Sequence, residues 1–381
     1  MEHKIDRLSE LPKPIVEHIL SFIPLKQILQ LTILSKTWQN IWTLFPILKL
    51  EESLVLSGPY NKKFNYFVER TLLSRCRQNI SIQRFEIRIL DNIDKEWYCA
   101  CVNRWIGYAI ESNVKELNIF ASPKNYYKVP ESVLVAKSIT GLTLWGCNLE
   151  SFRSHDINLS SLKKLVLGEV YNVNDQIIKT LIAGSPVVEE IKFARCDGLR
   201  NIHVSGLPKL MNIAVAYNEE LDSIEIEASN LESLLIELCK PCQINLLACE
   251  NLKKLELYSA TVTDEWLHDV LSKHLHIESL TLLRCDMLKR IKISSDRMKS
   301  LTFYRCSELL EVNIVTPNLH SLEYYGDVIS FSSNTSTLSE VRLRFLNGSF
   351  DWIYNVENIE FLTKLNHLKQ LTWRAHYAKV F

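Results

Sequence analysis

The sequence predicts an α/β protein in which three short N-terminal helices precede a solenoid of stacked, strand-bearing repeats. Two observations support this prediction: an apolar pattern recurs along most of the chain, and apolar residues near the N-terminus follow helical spacing. With 381 residues, of which 47% are hydrophobic, the chain has enough apolar material for a core that extends from repeat to repeat.

Charge and composition argue against several classes of function. Lys plus Arg and Asp plus Glu both number 44, so no excess of positive charge favours nucleic acid as a partner. No stretch reaches the roughly 18 apolar residues of a membrane span, and the N-terminus lacks a continuous apolar signal region. The ten cysteines are spread too widely for a disulfide scaffold, so we expect reduced thiols. These features predict a soluble protein of the cytoplasm, the nucleus or both, without a membrane partner.

Three short helical patterns open the chain. The segment "LSELPKPIVEHILSFIPL", residues 8–25, places Pro12 at the first turn of a helix that Pro24 ends. "LKQILQLTIL" predicts a second helix, and "SKTWQNIWTLF" a third with apolar residues at i, i+3, i+4 and i+7. Three short helices cannot form a self-sufficient core, so we expect part of their apolar surface to contact a partner.

The region 49–111 is less regular. "ESLVLSGPYNKK" is a strand candidate with a turn at Gly58-Pro59, and apolar spacing predicts helices over Phe64–Cys76 and Asn92–Glu111. We expect this region to link the opening helices to the repeats and to cap the N-terminal end of the array, because an open end would expose the core.

A repeated pattern then dominates the chain. The pattern apolar-x-x-apolar-x-apolar occurs 12 times, from "VKELNI" to "LKQLTW", and "IQRFEI" at 82–87 is a degenerate earlier copy. The central apolar residues run from Leu117 to Leu371 with a mean step of about 23 residues, which is typical of leucine-rich repeats. Such strands must stack to bury their apolar faces. The pattern therefore predicts an irregular leucine-rich-repeat solenoid over 112–381, a horseshoe with a parallel sheet on its concave face.

The length of each step predicts what lies outside the strands. Two long steps contain helical patterns, "NDQIIKTLIAGSP" and "TDEWLHDVLSKH". Shorter steps contain a second alternating segment, which predicts extended chain: "LRNIHV", "LDSIEI", "LKRIKI" and "LLEVNI". In four copies a cysteine follows three residues after the last apolar position, where a small side chain can lie inside the turn. These are Cys147, Cys196, Cys285 and Cys306.

The opening segment resembles a known domain. "DRLSELPKPIVEHILSFIPLKQILQLTILSKTWQNIWTLFPIL" is similar to an F-box, particularly the plant form whose third helix begins "LSKRW". With "VPESVLVAKSITGLTLWGCNL" and the repeats that follow, nearly the whole chain resembles the plant F-box/leucine-rich-repeat family. Gln27 to Thr32 and Thr37 depart from the usual family residues. The resemblance implies an N-terminal three-helix F-box over 5–48.

The resemblance also implies a function. An F-box docks on a Skp-type adaptor, which joins a cullin and a RING subunit, while the repeats hold a target protein for ubiquitination. The alternative is a repeat-based protein-binding scaffold whose F-box has diverged too far to hold the adaptor. By carry-over from the family, nine residues are expected to contact the adaptor or to shape that surface, although packing of the three helices is an alternative role for Ile19. They are Leu11, Pro12, Ile15, Ile19, Leu20, Pro24, Leu25, Leu34 and Trp38.

A substrate surface is predicted from the repeat pattern. The residue that follows the second apolar position of each strand points to the concave face, because strand side chains alternate. Towards the C-terminus this row is rich in aromatic residues and Arg, the types enriched in binding hot spots. An alternative explanation is that aromatic residues simply favour strands. The predicted substrate surface consists of Tyr258, Leu283, Tyr304, Tyr325, Arg344 and Arg374.

No catalytic pattern stands out. The sequence contains no Gly-rich phosphate loop, GxSxG or HExxH, so we predict a non-catalytic subunit without a cofactor. Cys239-x-x-Cys242 with Cys249, and His274-x-His276, raise the possibility of zinc, but one CxxC without a second pair is a weak signal. Cys239 also falls at the small-residue position of its repeat, which favours packing over metal binding.

Overall fold

A computed structural model describes residues 11–23, 27, 45–51, 60–89, 95–122, 127–153, 157–333, 335, 337–346 and 369–375. The chain divides into two units. The first consists of Met1–Val173 with Ala183–Ser185, and the second of Asn174–Ile182 with Pro186–Phe381.

Three α-helices lie among the described residues of the first unit. Helix α1 spans Lys13–Phe22, α2 spans Tyr60–Arg77 and α3 spans Lys95–Glu111. Helix α1 begins directly after Pro12, whose carbonyl oxygen accepts hydrogen bonds from the backbone N–H groups of Ile15 and Val16. Helices α2 and α3 pack against each other. The helices predicted between Pro12 and Pro24, over Phe64–Cys76 and over Asn92–Glu111 are therefore confirmed, whereas those predicted in "LKQILQLTIL" and "SKTWQNIWTLF" lie almost entirely outside the described residues. Short 3-10 segments follow at Glu131–Val135 and Glu150–Arg153.

Five parallel strands of the sheet lie among the described residues of the first unit. They pair in chain order, and their alternating apolar residues are buried. Their bounds are β1 Ile47–Glu51, β2 Arg84–Ile89, β3 Glu116–Ala121, β4 Gly141–Trp145 and β5 Lys164–Gly168. Strand β2 pairs with β3, so the degenerate copy "IQRFEI" belongs to the ladder. The strand candidate in "ESLVLSGPYNKK" and its turn at Gly58-Pro59 lie outside the described residues, and the last residues of that segment, Tyr60 to Lys63, belong to α2.

The second unit contains two helices and fifteen strands among its described residues. Helix α4 spans Asp175–Ala183, one residue beyond the unit boundary, and α5 spans Asp264–Lys273. The strands are β6 Glu190–Ala194, β7 Asn201–Val204, β8 Asn212–Ala216, β9 Ser223–Glu227, β10 Ser233–Glu237, β11 Gln243–Leu247, β12 Lys254–Tyr258, β13 Ser279–Leu283, β14 Arg290–Ser294, β15 Ser300–Tyr304, β16 Glu311–Val315, β17 Ser321–Gly326, β18 Ser330–Ser333, β19 Glu340–Phe345 and β20 Gln370–Ala375.

Three parallel sheets organise the second unit. The long sheet has the order β6-β8-β10-β12-β13-β15-β17-β19-β20, and two short sheets consist of β7-β9-β11 and β14-β16-β18. The central apolar residues of the repeats face one another in register, as Leu280, Leu301 and Leu322 do. Their burial confirms the parallel stacking predicted from the pattern. The outer segments predicted as extended are β7, β9, β14 and β16, and the structure adds β11 and β18.

Two aspartates join the outer helices to the outer strands. Asp175, the first residue of α4, accepts hydrogen bonds from the backbone N–H groups of Arg200 and Asn201 at 3.0 and 2.9 Å. Asp264, the first residue of α5, accepts from Lys289 and Arg290 at 2.9 and 3.0 Å. In each case a helical step orients the start of the next outer strand.

The four repeat cysteines are buried, as predicted, and Cys147 and Cys285 direct their thiols at backbone carbonyl oxygens. Cys239 is different, because its side chain is exposed rather than packed. At the equivalent turns, residues such as Arg284 and Arg305 adopt a left-handed backbone with φ of 52°. Leu238 does not adopt this conformation and is itself buried, which leaves Cys239 on the outside.

Candidate functional site

The first candidate surface lies on α1. This helix is amphipathic, with Val16 and Leu20 buried and Ile15 47% exposed. Pro12 is exposed as well, whereas Leu11 and Ile19 are half-buried. At 1% exposure, Leu20 can shape the surface from behind but cannot contact a partner directly. The other predicted adaptor residues, Pro24, Leu25, Leu34 and Trp38, lie outside the described residues.

Phe22 is an exposed apolar residue that the family-based prediction omitted. It is 75% exposed, and its ring packs edge-on against His18 with centroids 5.0 Å apart. Ile15, His18 and Phe22 are spaced i, i+3 and i+7, which places them on one face of α1. The spacing of these three residues is visible in the sequence. The predicted adaptor residues of α1 nevertheless included the half-buried Ile19 and the buried Leu20 and left out Phe22.

The second candidate surface is a cross-strand row on the long sheet of the second unit. Strand register places Tyr258 opposite Leu283, Leu283 opposite Tyr304, and Tyr304 opposite Tyr325. The row continues to Arg344 and Arg374. The structure therefore brings all six predicted substrate residues together, although only the backbone position of Arg374 is described. Their role in binding stays a prediction.

The centre of this row is a tyrosine pair covered by an arginine. The rings of Tyr304 and Tyr325 lie 4.6 Å apart between centroids, and Tyr304 is 36% exposed. The guanidinium carbon of Arg305 lies 5.9 and 5.4 Å from the two ring centroids, within the range of cation–π attraction. Arg305 is absent from the predicted surface because it belongs to the turn after β15 and follows no apolar spacing.

Tyr258 occupies the other end of the aromatic row. Its hydroxyl donates a hydrogen bond to Glu256 at 3.2 Å. Burial and the neighbouring Glu256 carboxylate raise the pKa of Tyr258 to about 12, so its hydroxyl keeps its proton at neutral pH. This end of the row offers an uncharged hydroxyl group beside the Glu256 carboxylate.

The cysteine and histidine residues considered for zinc take part in other contacts. The Cys249 thiol is buried and donates to the carbonyl oxygens of Ile226 and Leu247 at 3.5 and 3.3 Å. Burial raises the pKa of Cys242 to about 11, which keeps that thiol protonated, whereas zinc binds the thiolate. Among the residues that the structure describes, no group of three or more His, Cys, Asp or Glu side chains could hold a metal ion.

None of the described helices is both long enough and apolar enough to cross a bilayer.

Comparison with known proteins identifies both parts of the chain. A profile of the F-box domain matches residues 8–50, and the profile "At1g61320/AtMIF1, LRR domain" matches residues 75–248 and 234–377. The boundaries predicted from the sequence, 5–48 for the F-box and 112–381 for the solenoid, remain predictions. The repeat profile alone covers more than half of the chain.

Individual relatives come from Arabidopsis thaliana. F-box/LRR-repeat protein At3g60040 is 27% identical over 248 residues, which are 60% of this chain and 55% of the relative. F-box/FBD/LRR-repeat protein At5g56420 is 27% identical over 61% of this chain and 55% of its own length. F-box/LRR-repeat protein At3g58930 is 29% identical over 51% of this chain and 42% of its own length. The chain thus spans about half the length of the curated relatives it matches. By its two profile matches and its stacked repeat strands, the chain belongs to the plant F-box/leucine-rich-repeat family.

Proposed function

We propose that this protein is the substrate-recognition subunit of a Skp-cullin-F-box E3 ubiquitin ligase. In this proposal α1 docks on a Skp-type adaptor, which joins a cullin and a RING subunit, and the long sheet binds the target protein. The observation that carries the proposal is the exposed apolar face of α1, with Ile15 and Phe22, inside the segment that matches the F-box domain. Large exposed apolar side chains on one helix face are typical of a protein-binding surface.

The chain itself is non-catalytic in this proposal. Ubiquitin transfer takes place on other subunits, and this protein raises the rate by holding the target close to them. The cross-strand row of the long sheet, which contains three tyrosines, supports a target-binding role, because aromatic residues supply large contact areas at interfaces.

The same proposal places the protein in the cytoplasm or the nucleus. All ten cysteines are free thiols, which suits a reducing compartment. Localisation of a fluorescent fusion in plant cells would test this part independently of adaptor binding.

Assembly can be tested by affinity purification of the tagged full chain from plant cells. The wild type should recover the adaptor and the cullin, and a variant with Leu11→Ala and Pro12→Ala should recover at most about a tenth as much of each. Tyr66→Ala is the matched control, because Tyr66 is an exposed residue of α2 in the same unit. Equal recovery by all three proteins, each shown to be folded, would contradict the proposal.

The alternative function is a protein-binding scaffold without a ligase. The replacement of the usual F-box residues at Gln27 to Thr32 and at Thr37 favours this alternative. A folded wild type that recovers target proteins but neither adaptor nor cullin would support the scaffold and exclude the ligase subunit.

A further inference from the structure

Two arginines occupy equivalent turns at the carboxyl ends of neighbouring strands. Arg284 follows β13 and Arg305 follows β15, and both have a left-handed backbone with φ of 52°. The residues before them, Leu283 and Tyr304, are paired in register. Adjacent parallel strands lie about 4.8 Å apart, so the two arginines project from neighbouring positions along one edge of the long sheet, the edge at which its strands have their carboxyl ends.

In the part of the chain that the structure describes, neither Arg284 nor Arg305 forms an ion pair with a carboxylate. Arg305 instead lies over the tyrosine pair and donates to the Tyr325 hydroxyl at 3.5 Å. Two like charges side by side cost free energy, and an anion placed between them would relieve that cost.

Arg344 adds a third cation to this edge. It lies directly opposite Tyr325 in the strand register, and it forms no ion pair with any residue that the structure describes. Its Nε atom is buried and has no hydrogen-bond partner among the described residues. Arg305 and Arg344 therefore flank Tyr325, each with donor capacity that the fold leaves unused.

Two acidic residues close to this edge, Asp286 and Glu323, form contacts with residues other than the three arginines. A groove of about 330 Å³ runs along it, lined by both turn arginines and by Asp286 and Asp327. Asp286 accepts hydrogen bonds from the backbone N–H and the hydroxyl of Ser307 at 2.8 and 2.9 Å. On the sheet face, Glu323 lies 3.9 Å from Arg342 in an ion pair. The carboxylates of Asp286 and Glu323 thus hold a turn and a strand, and neither forms an ion pair with the three arginines.

We propose that the edge formed by Arg284, Arg305 and Arg344 binds an anionic side chain of the target protein, a phosphate monoester or a carboxylate. Guanidinium groups bind both anions through charge-assisted hydrogen bonds, and the tyrosine pair beside them supplies an apolar contact for the neighbouring target residues. The inference rests on the proposed role of the long sheet as the target surface and adds the chemical class of the target.

The test uses the purified full chain and three pools of short fluorescent peptides with degenerate flanks. The central residue of a pool is phosphoserine, Glu or Ser, and binding is followed by fluorescence anisotropy. We expect the phosphoserine or the Glu pool to bind at least about tenfold more tightly than the Ser pool. A preference for phosphoserine over Glu identifies a phosphate site, whereas equal binding of the two identifies a general carboxylate and phosphate site.

Two double variants make the test specific. Arg305→Gln with Arg344→Gln should abolish the preference for anionic pools. Arg290→Gln with Arg297→Gln removes the same charge from exposed positions outside the row and should retain it. Three outcomes would overturn the inference: equal binding of all three pools, an unchanged preference in the first variant, or no saturable binding up to about 1 mM.

The anisotropy assay and the adaptor assay test the anion site and the ligase function separately. If the wild type recovers no adaptor but prefers anionic peptides, the ligase function is wrong and the anion site stands. If adaptor recovery is normal and the peptide preference is absent, only the anion site is wrong.

Discussion

Tyr304 and Tyr325 stack across two neighbouring strands, with ring centroids 4.6 Å apart and ring planes inclined by 35°. Each ring follows the last buried apolar residue of its strand, so the period-two alternation brings both to the open face of the sheet. The pair forms a continuous aromatic surface whose rings Arg305 covers at one side. Of the described residues, this pair is the best candidate for the centre of a target-binding surface.

Replacing both rings should affect binding more than stability. We expect Tyr304→Ala with Tyr325→Ala to reduce recovery of associated proteins by about tenfold or more, because aromatic hot spots contribute at least about 2 kcal/mol each. Quantitative mass spectrometry of proteins captured by the tagged chain would measure the effect. Tyr66→Ala removes a tyrosine ring that is 65% exposed on α2 and should change nothing, whereas unchanged recovery with the double variant would show that the row does not bind targets.

Gly168 should be intolerant of a side chain because Trp145 lies across it. A Cβ atom at Gly168 would clash with Cε3, Cζ3 and Cδ2 of the Trp145 ring. We expect Gly168→Ala to lower the free energy of unfolding by about 1–3 kcal/mol, as overpacking does elsewhere. Urea unfolding measures this change.

Gly107→Ala is the matched control, since nothing lies within 4 Å of the added carbon in α3. This substitution should raise the free energy of unfolding by about 0.5–1 kcal/mol, because alanine favours a helix. Equal effects of the two substitutions would mean that Trp145 does not occupy the position described.

Asp175 and Asp264 should contribute comparably to stability. Each carboxylate accepts two backbone hydrogen bonds at the start of an outer strand, so we expect Asp175→Ala and Asp264→Ala each to cost about 1–3 kcal/mol in urea unfolding. Asp269→Ala, which removes an exposed carboxylate paired only with Lys273, should cost less than about 0.5 kcal/mol. A smaller loss of unfolding free energy at Asp175 or Asp264 than at Asp269 would refute their role in orienting the outer strands.

Asp175 also predicts a dependence on pH. Burial raises the pKa of its carboxyl, but hydrogen bonds from Asn201 and Arg200 outweigh that effect and lower the pKa below its ordinary value of 3.8. Its stabilising contribution is therefore complete above about pH 4 and is lost as the pH falls through the lowered value. In Asp175→Asn, the decline of unfolding free energy below pH 4 should be shallower than in the wild type.

His274 should make the fold sensitive to mild acid. Burial lowers the pKa of His274 below its ordinary value of 6.5, and its Nδ1 lies 3.1 Å from the carbonyl oxygen of Cys249. The unfolded chain binds this proton more readily, so stability is complete above pH 6.5 and declines as the pH falls below it. We expect His274→Gln to reduce the slope of the unfolding free energy against pH, between pH 5 and 6.5, by at most about 1.4 kcal/mol per pH unit. An unchanged slope in His274→Gln would contradict this role of burial.

The sequence was most informative where a local period decides burial. Alternation within "SLTFY" and "SLEYY" determines that Leu301 and Leu322 are buried and that Tyr304 and Tyr325 share the open face, which the register confirms. The long steps likewise predicted α4 and α5, because only a helix accommodates their apolar spacing.

Features that depend on turns and on contacts between repeats were not predictable in this way. Arg305 reaches the tyrosine pair because its own backbone is left-handed, and nothing in the apolar pattern predicts that conformation. Cys239 follows the same spacing as Cys285, yet a different backbone at Leu238 exposes it. Strand β18, "SFSS", has one large apolar residue and forms beside β16 through backbone pairing.

Direct adaptor affinity is the most decisive measurement, because the proposed function depends on α1. Isothermal titration calorimetry of the purified full chain with a purified Skp-type adaptor should detect a specific complex. Ile15→Asp with Phe22→Asp should weaken it by about 100-fold, whereas Tyr66→Asp should not. Absence of binding by the folded wild type, or equal affinity of the double variant, would contradict a role as a ligase subunit.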